Sequence, residues 1–378
     1  MQASQSPTLV PLAFAANGTK NTIPEASQIG ITPGAASLND GFPPLTFTPI
    51  AAGGVPPSGA DFNGVLNLIT QSIRWQHAGG HYGYSSTFAN DTNVGGYPRG
   101  ALLQRSDLTG FWLNQTDSNA ANPDTGGAGW VAAFPAGVVG QVRNLRMYVA
   151  SASSTATLTA DEIIVGAALG GHAYKVGSIN QTINLAGANG IGGMDTGSAP
   201  ASGYVAIYEM LNPTTGAKGL MAVNATSSVA PSIYGGANMP AGYTASALLT
   251  VVPTNGSGQF KSVLVNDRSV SIPIATALST STIQTSPTLL SIASIVPANA
   301  KSIRGELQAT SSSASQLNVT VVADSVGQLS QQNITGQGGS AYTGNYSMDL
   351  ATPQQIYYTA NSTAGTPSFT IYVSGYSL

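Results

Sequence analysis

The clearest periodic pattern of apolar positions lies in residues 56–80, PPSGADFNGVLNLITQSIRWQHAGG. Ser58 and Asp61 have the spacing of a capping box, and Gly79 and Gly80 form a stop signal, so we predict a helix over residues 58–77. Its apolar face needs a partner surface, either a sheet of the same chain or the same face of identical chains around a symmetry axis. The apolar side chains recur at intervals of four, three and four, which places them on one helix face: Phe62, Leu66, Ile69 and Ile73.

Residues 1–55 have almost no hydrophobic periodicity and contain prolines at short intervals. Such a segment cannot bury enough apolar surface to offset its own ordering unless it lies on another surface. We therefore predict an extended arm that docks on a partner or on a neighbouring subunit. The arm is too apolar for a free linker, because it carries Leu9, Leu12, Phe14, Ile29, Ile31, Phe42, Leu45 and Phe47.

Short runs of strand-forming residues separated by turn signals make up the rest of the chain. Residues 101–104 and 111–114, followed by Trp130, predict a small hairpin with a Trp-rich core, which completes an α+β module over residues 56–136. Residues 137–279 predict a β-rich middle domain with the spacing of a β-sandwich or closed β-module. Its predicted strands cover residues 145–150, 157–158, 162–165, 179–185, 204–210, 219–225, 246–252 and 259–265.

Strict alternation of apolar and polar residues marks the last part of the chain, residues 280–378. In residues 317–321 and 369–374 every second side chain is apolar, which predicts one buried and one solvated sheet face. We predict a second β-sandwich here and a loop over residues 336–349, GQGGSAYTGNYSMD. The fold class is therefore mainly β. The predicted strands cover residues 289–295, 302–309, 317–323, 356–360 and 369–375.

The low content of charged residues limits the classes of partner that the protein can bind. Only 7% of the residues are Asp, Glu, Lys or Arg. An ordinary soluble protein has about 25%. A net charge of -3 provides no basic stripe for a phosphate backbone, so we expect no nucleic-acid partner. The absence of cysteine excludes disulfides, thiolate catalysis and zinc sites of the cysteine type. No segment approaches the roughly 20 apolar residues of a membrane span.

Candidate catalytic and metal-binding residues are few. His77 and His81 have the helical spacing of a metal pair, but Gly79 and Gly80 should end the helix between them, and His172 has no serine or aspartate beside it in the sequence. A glycosidase would need two carboxylates about 5 to 10 Å apart. The acidic residues mostly stand in turn-forming contexts, so we expect no enzyme, and we expect no metal and no cofactor. The acidic residues include Asp161, Glu162, Asp195, Asp267 and Asp324.

A tyrosine-rich stretch near the C-terminus is the best candidate binding site. Tyrosine rings offer flat faces on which sugars stack, and amides and carboxylates pair with sugar hydroxyls. The alternative is that tyrosine is merely common on β-sheet surfaces. The predicted receptor-binding residues, taken to be exposed, are Tyr342, Asn345, Tyr346, Asp349, Tyr357 and Tyr358.

Residues 22–130 carry a resemblance that is nearly continuous over this length. With PEASQIGITPGAASLNDGFPPLTFTPIAAGGVPPSGADFNGVLNLITQSIRWQHAGG, VGGYPRGALL, GFWLNQTDSNAANPD and GAGW, this part resembles the N-terminal, virion-proximal region of bacteriophage and prophage tail fibre proteins. The phrases GIGGMDTG, GYVAIY, NMPAGYTAS and SVLVNDR also resemble a module of phage tail fibre shafts. The resemblance implies a structural protein of the virion tail, assembled in the cytoplasm of the bacterial host, and an elongated homotrimer.

Together these observations predict four domains: a virion-anchoring arm (1–55), a helix with a small β module (56–136), a shaft domain (137–279) and a tip domain (280–378). We expect the arm to bind a phage tail or baseplate protein, and the tip to contact a host surface glycan or outer-membrane component. The seam Phe62, Leu66, Ile69 and Ile73 would form the subunit interface of the trimer. The alternatives are a connector that carries another fibre protein and a receptor-degrading tailspike.

Overall fold

The structure of the protein is a computed structural model that describes residues 7–133, 137–313 and 316–378. It confirms a mainly β fold, since the described ranges contain two α-helices and nineteen β-strands. The chain divides into two compact units, Met1–Ala133 and Phe134–Leu378. Residues 1–6 of the predicted arm and residues 134–136 of the predicted helix and β module lie outside the described residues. Neither helix has the length and apolar character to cross a membrane.

The first unit contains the predicted helix. Helix α1 begins at Gly59, because the Ser58 side chain caps it by accepting a hydrogen bond from the Ala60 amide at 3.2 Å, and it ends at His77. A small three-stranded antiparallel sheet follows, and Tyr97 lies at the centre of the core that packs on it, 5.8 Å from the ring of Trp130. The elements are α1 Gly59–His77, α2 Ser86–Ala89, β1 Leu102–Gln104, β2 Phe111–Asn114 and β3 Trp130–Ala132, with 3₁₀ turns at Pro44–Phe47, Ile50–Ala52 and Pro123–Thr125.

The second unit consists of strands and the turns between them. Most of its strands overlap the ones predicted from alternation and turn signals. They are β4 Val142–Arg143, β5 Arg146–Val149, β6 Thr155–Gly166, β7 Ala173–Asn184, β8 Tyr204–Leu211, β9 Lys218–Asn224, β10 Ala245–Pro253, β11 Val263–Asn266, β12 Ser269–Thr280, β13 Gln284–Ser291, β14 Ser302–Ser311, β15 Gln316–Val322, β16 Gln332–Gln337, β17 Ala341–Asp349, β18 Gln355–Ser362 and β19 Pro367–Ser377.

Twelve of these strands form one antiparallel sheet. Ten of them follow the order β17-β14-β19-β12-β11-β5-β6-β10-β8-β9, and the other two, β4 and β7, pair with β6. Strand β6 is its branch point: along one edge it pairs in turn with β5, β4 and the start of β10, and along the other with β7. Strands β8 and β10 are buried along their whole length, so their sequences are nearly continuous apolar runs. The buried side chains of this sheet therefore form part of the core of the second unit, and strands near the C-terminus contribute the rest.

A second sheet of four strands, in the order β13-β18-β15-β16, completes a C-terminal sandwich. Its inward side chains, such as Val319 and Ile356, share one core with Leu307 and Ile371 of the twelve-stranded sheet. Strand β14 alternates buried and half-buried residues along its ten positions, as a strand with one buried face does. The C-terminal sandwich is formed by β13, β15, β16 and β18 on one side and by β17, β14, β19 and β12 on the other.

Strand β12 is missing from the sequence prediction, which places no strand between residues 265 and 289. Pro273 lies where the register of β12 against β19 shifts between Ser271 and Ala275, and a bulge is a place where a strand tolerates proline. The predicted boundary between residues 279 and 280 falls at the end of this strand. Strand β12 also pairs with β11, so the predicted shaft and tip residues are hydrogen-bonded into one sheet within the second unit.

Candidate functional site

Helix α1 buries a polar face and leaves its apolar face exposed, the reverse of an ordinary surface helix. Its buried residues are Asp61, Gly64 and Asn67. Of the predicted seam, Phe62 is 48% exposed, Leu66 41% and Ile69 49%, while Ile73 is half-buried. The helix therefore carries an apolar stripe that the rest of the described chain covers only partly.

The polar face of α1 is occupied by the arm, which runs antiparallel to the helix. The Val10 amide donates to Nδ1 of His77 at 2.9 Å, and the Phe14 amide donates to Oγ1 of Thr70 at 2.8 Å. Further along, Nδ2 of Asn63 donates to the carbonyl of Thr19 at 2.7 Å. As the arm residue number rises, the helix residue number falls. The sequence predicts docking on a partner or on a neighbouring subunit, whereas residues 10–19 dock on the helix of the same chain, because its polar face supplies their hydrogen-bond partners.

Asp61 is the most buried contact between the helix and the arm. Its Oδ1 accepts from Nδ2 of Asn21 at 2.6 Å, and its Oδ2 accepts from the Ala36 amide at 2.9 Å. One helical turn on, Gly64 lies against the Asn21 carbonyl, and a Cβ built there would be 2.2 Å from that oxygen. A glycine that is unfavourable for an isolated helix is therefore required by the close approach of the arm.

The predicted receptor residues do not form one patch. Asn345 and Asp349 are exposed on the outer face of β17, whereas Tyr357 lies on the outer face of the opposite sheet of the C-terminal sandwich. Tyr342 is half-buried and packs over Gly336 at the margin of the core. Since the two sheets meet through their inner faces, the two groups point away from each other.

The predicted exposure is wrong for Tyr346 and Tyr358, which are core residues. The Tyr346 hydroxyl donates to the Tyr372 carbonyl at 2.9 Å, and burial raises the pKa of Tyr346 well above its usual value. The predicted loop over residues 336–349 is also wrong, because Ala341–Asp349 is strand β17. The cause is tertiary: nine consecutive pairs with β14 hold in a strand a sequence that glycine and serine make look like a turn.

The three histidines are placed in separate surroundings. His77 ends α1 and receives the arm, while His81 follows the helix stop and packs edge-on against Phe111 with ring centroids 4.8 Å apart. The ring of His172 contacts that of Tyr174. Within the described residues no group of three His, Asp or Glu side chains has the geometry to hold a metal ion.

The acidic residues considered for catalysis make structural contacts. Asp195 accepts from the Tyr234 hydroxyl at 3.0 Å, and Asp267 accepts from the Leu145 amide at 2.9 Å. Asp324 accepts from two amides of its own turn, which lowers its pKa. Asp161 accepts from Asn144, and Glu162 forms an exposed salt bridge with Lys175 at 3.6 Å.

Glu209 is a buried carboxyl that sequence analysis missed, because it stands in the apolar run of β8. It is 0% exposed, and its Oε1 accepts from Nε2 of Gln181 at 2.9 Å. Burial raises its pKa from 4.5 to about 7, against smaller lowering effects of Gln181 and Lys218. A carboxyl with a raised pKa contributes stability that is fully present below pH 4.5 and is lost as the pH rises through about 7.

The first unit also contains a cavity of about 670 Å³ that no sequence pattern indicated. It lies between the end of α1, helix α2 and strand β1, and residues far apart in the sequence line it. Its walls are mainly apolar and aromatic and include Gln76, His81, Tyr82, Phe88, Tyr97 and Leu102.

In comparisons with known proteins, no protein-family model and no curated protein sequence matches the chain. The features of the chain that bear on its function are the exposed seam of α1, the docked arm and the surface of the C-terminal sandwich.

Proposed function

We propose that this protein is a structural, self-associating attachment protein of a bacteriophage tail. In this proposal the first unit attaches the protein to the virion tail and joins three chains into a homotrimer. The C-terminal sandwich contacts the host cell surface. The virion role rests on the resemblance of residues 22–130 to tail fibre proteins. The self-association is carried by the exposed seam of α1.

The arm of the same chain covers the polar face of α1 and leaves the apolar seam exposed. The seam is therefore open to contact with the α1 helices of identical chains. Fully burying a large apolar side chain contributes about 1.5–3 kcal/mol, so covering the exposed half of each seam residue contributes about 1 kcal/mol. Three chains that meet along four such positions would gain about 12 kcal/mol before the cost of association is subtracted. A spacing of four, three and four residues is the spacing at which identical helices interlock.

The remaining features fit a protein that works through binding and not through chemistry. Carboxylates considered for catalysis accept hydrogen bonds from neighbouring groups of the protein, as Asp195, Asp267 and Asp324 do. The surface is wetted mainly by hydroxyl and amide groups, since only 7% of the chain is charged. Weak individual sites suffice for adhesion, because several copies that bind together raise the effective affinity by roughly 10² to 10⁴.

The test is the mass in solution of the full-length protein, measured by light scattering, with two lysine substitutions on α1. Ile69→Lys places a charge in the seam. Leu68→Lys is a matched control, because Leu68 is 47% exposed and lies about 100° further round the same helix. We expect a trimer for the wild type and for Leu68→Lys, and a lower mass for Ile69→Lys.

A monomeric wild type, or equal dissociation of the two variants, would contradict assembly through the seam. The labelled wild-type trimer is then incubated with a panel of bacteria to test adhesion. A trimer that decorates cells supports the attachment function. A trimer that decorates none would instead favour the connector that carries another fibre protein.

A further inference from the structure

The outer face of the C-terminal sandwich carries an ordered array of polar side chains on strands β17, β14, β19 and β12. The strand register aligns one residue from each strand into a row that crosses the sheet, because residues paired directly opposite share a face. Four neighbouring strands make the row about 14 Å wide. From β17 to β12 the row is Asn345, Glu306, Tyr372 and Thr276.

Two further rows flank this one. On one side the register aligns Thr343, Gln308, Thr370 and Ser279. On the other side Arg304 reaches across β19 to donate to Oγ of Ser269 at 3.0 Å and to Oγ of Ser271 at 2.8 Å. It can do so because residue 375 is glycine, where a Cβ would lie 2.6 Å from the guanidinium carbon.

We infer that this outer face is a glycan-binding surface, with Tyr372 as its stacking platform. The inference rests on the proposed attachment function and assigns it a place in the structure. Tyr372 was not among the residues expected from the sequence. It is half-buried, and its neighbours in the row supply an amide, a carboxylate and a hydroxyl.

The chemistry of the face favours a glycan over other partners. Its central row combines one aromatic ring with groups that donate and accept hydrogen bonds, which suits a ligand with alternating apolar ring faces and hydroxyls. Within the described residues Glu306 forms no salt bridge, so its carboxylate can accept from ligand hydroxyls. Arg304 balances the charge of Glu306, and Asp349 on the same outer face adds a negative charge, so the face offers no net attraction for a polyanion. The three rows also lack the cluster of large apolar side chains found at the centre of a protein interface.

The outer face of the other sheet provides a matched control. Tyr357, a residue of the predicted receptor patch that this inference leaves outside the glycan site, is also a half-buried tyrosine. It is paired with Leu289 and Val322 and not with a carboxylate and an amide. Truncating either tyrosine leaves the main chain intact. In particular, the Tyr372 carbonyl that accepts from the Tyr346 hydroxyl remains in place in Tyr372→Ala.

The experiment measures binding of the full-length protein to polysaccharide purified from a bacterium that the wild type decorates. The variants are Tyr372→Ala, Tyr372→Phe and the control Tyr357→Ala, with the solution mass of each recorded. We expect Tyr372→Ala to weaken binding by about tenfold or more, as loss of a stacking ring does. Tyr372→Phe keeps the ring and should stay close to the wild type, as should Tyr357→Ala. Periodate oxidation of the polysaccharide should abolish binding.

Each other outcome overturns a distinct part of the inference. If Tyr372→Ala binds like the wild type, the attachment function stands and the site is wrong. If protease treatment of the cells removes binding and periodate does not, the ligand is a protein. If Tyr372→Ala changes the solution mass, the face is a contact between copies of the chain. If the wild type decorates no bacterium, the attachment function and the glycan site fail together.

Discussion

The contact between Asp61 and the arm allows a sharp test of how the first unit is held together. In Asp61→Ala the carboxylate that receives Asn21 and the Ala36 amide is lost. A hydrogen bond to a charged group contributes about 1.5–3 kcal/mol, and the two bonds end on the two oxygens of one carboxylate and are not additive, so we expect a loss of about 3 kcal/mol. Asp61 also lies in the first turn of α1, where a negative charge stabilises the helix, which adds to the loss.

This loss should free the arm locally, because the arm is bound mainly by hydrogen bonds along one helix. Hydrogen exchange of the backbone amides is therefore the appropriate assay. A loss of about 3 kcal/mol corresponds to exchange that is faster by roughly 150-fold. The amides of Asn21 and Ala36 should show it, while those of β8 in the second unit serve as an internal reference.

The matched control is Asn63→Ala, which removes an exposed hydrogen bond between the same helix and the arm. It should accelerate exchange only severalfold, because water replaces the lost partner. Asp61→Asn keeps one acceptor and should fall between the two. Equal effects of Asp61→Ala and Asn63→Ala, or unchanged exchange in Asp61→Ala, would refute the view that buried polar contacts hold the arm.

Three further predictions concern stability. Gly64→Ala should lower the thermal unfolding temperature because the new Cβ would meet the Asn21 carbonyl, although alanine is the better helix former by about 1 kcal/mol. The control Gly59→Ala has open space around it and should be neutral or stabilising. A Gly64→Ala variant that unfolds at a higher temperature than the wild type would contradict the close approach of the arm. Leu307→Ala should lower the free energy of unfolding, measured by urea titration, by about 2–5 kcal/mol, because Leu307 is buried. Leu289 is half exposed, so Leu289→Ala should lower it by under about 1 kcal/mol. Similar losses for both variants would place Leu307 outside the core. The free energy of unfolding of the wild type, measured by denaturation, should fall by about 3 kcal/mol between pH 4.5 and about 7 as Glu209 loses its proton. Glu209→Gln should not show this fall. A wild type with the same stability across that pH range would refute the effect of burial on Glu209.

The match between prediction and structure is best where a local pattern is sufficient. The capping residue Ser58 and the stop after His77 define α1 to within a residue, since caps and breakers act on the backbone next to them. Strand β14 was predicted as residues 302–309 and runs over Ser302–Ser311. Alternation identifies such strands because one side of the sheet is buried and the other is wet.

The prediction failed where distant pairing overrides local preference. Strand β17 has the glycine and serine content of a loop, yet β14 beside it supplies partners for its whole length. Strand β12 contains a proline, which a bulge accommodates. The two buried tyrosines of the predicted receptor patch fail for a related reason: a tyrosine in an alternating strand is polar enough for the surface and large enough for the core.

The sequence by itself therefore determined helix α1 with its apolar seam, most of the strands, and a surface with few charges. Only the tertiary structure decided which faces are covered. The arm lies on the polar side of α1 and leaves the seam exposed, and the strand register places Tyr372 beside Glu306 on an outer face. The physical reason is that periodicity specifies which side chains share a face, whereas the occupant of that face depends on segments far away in the chain.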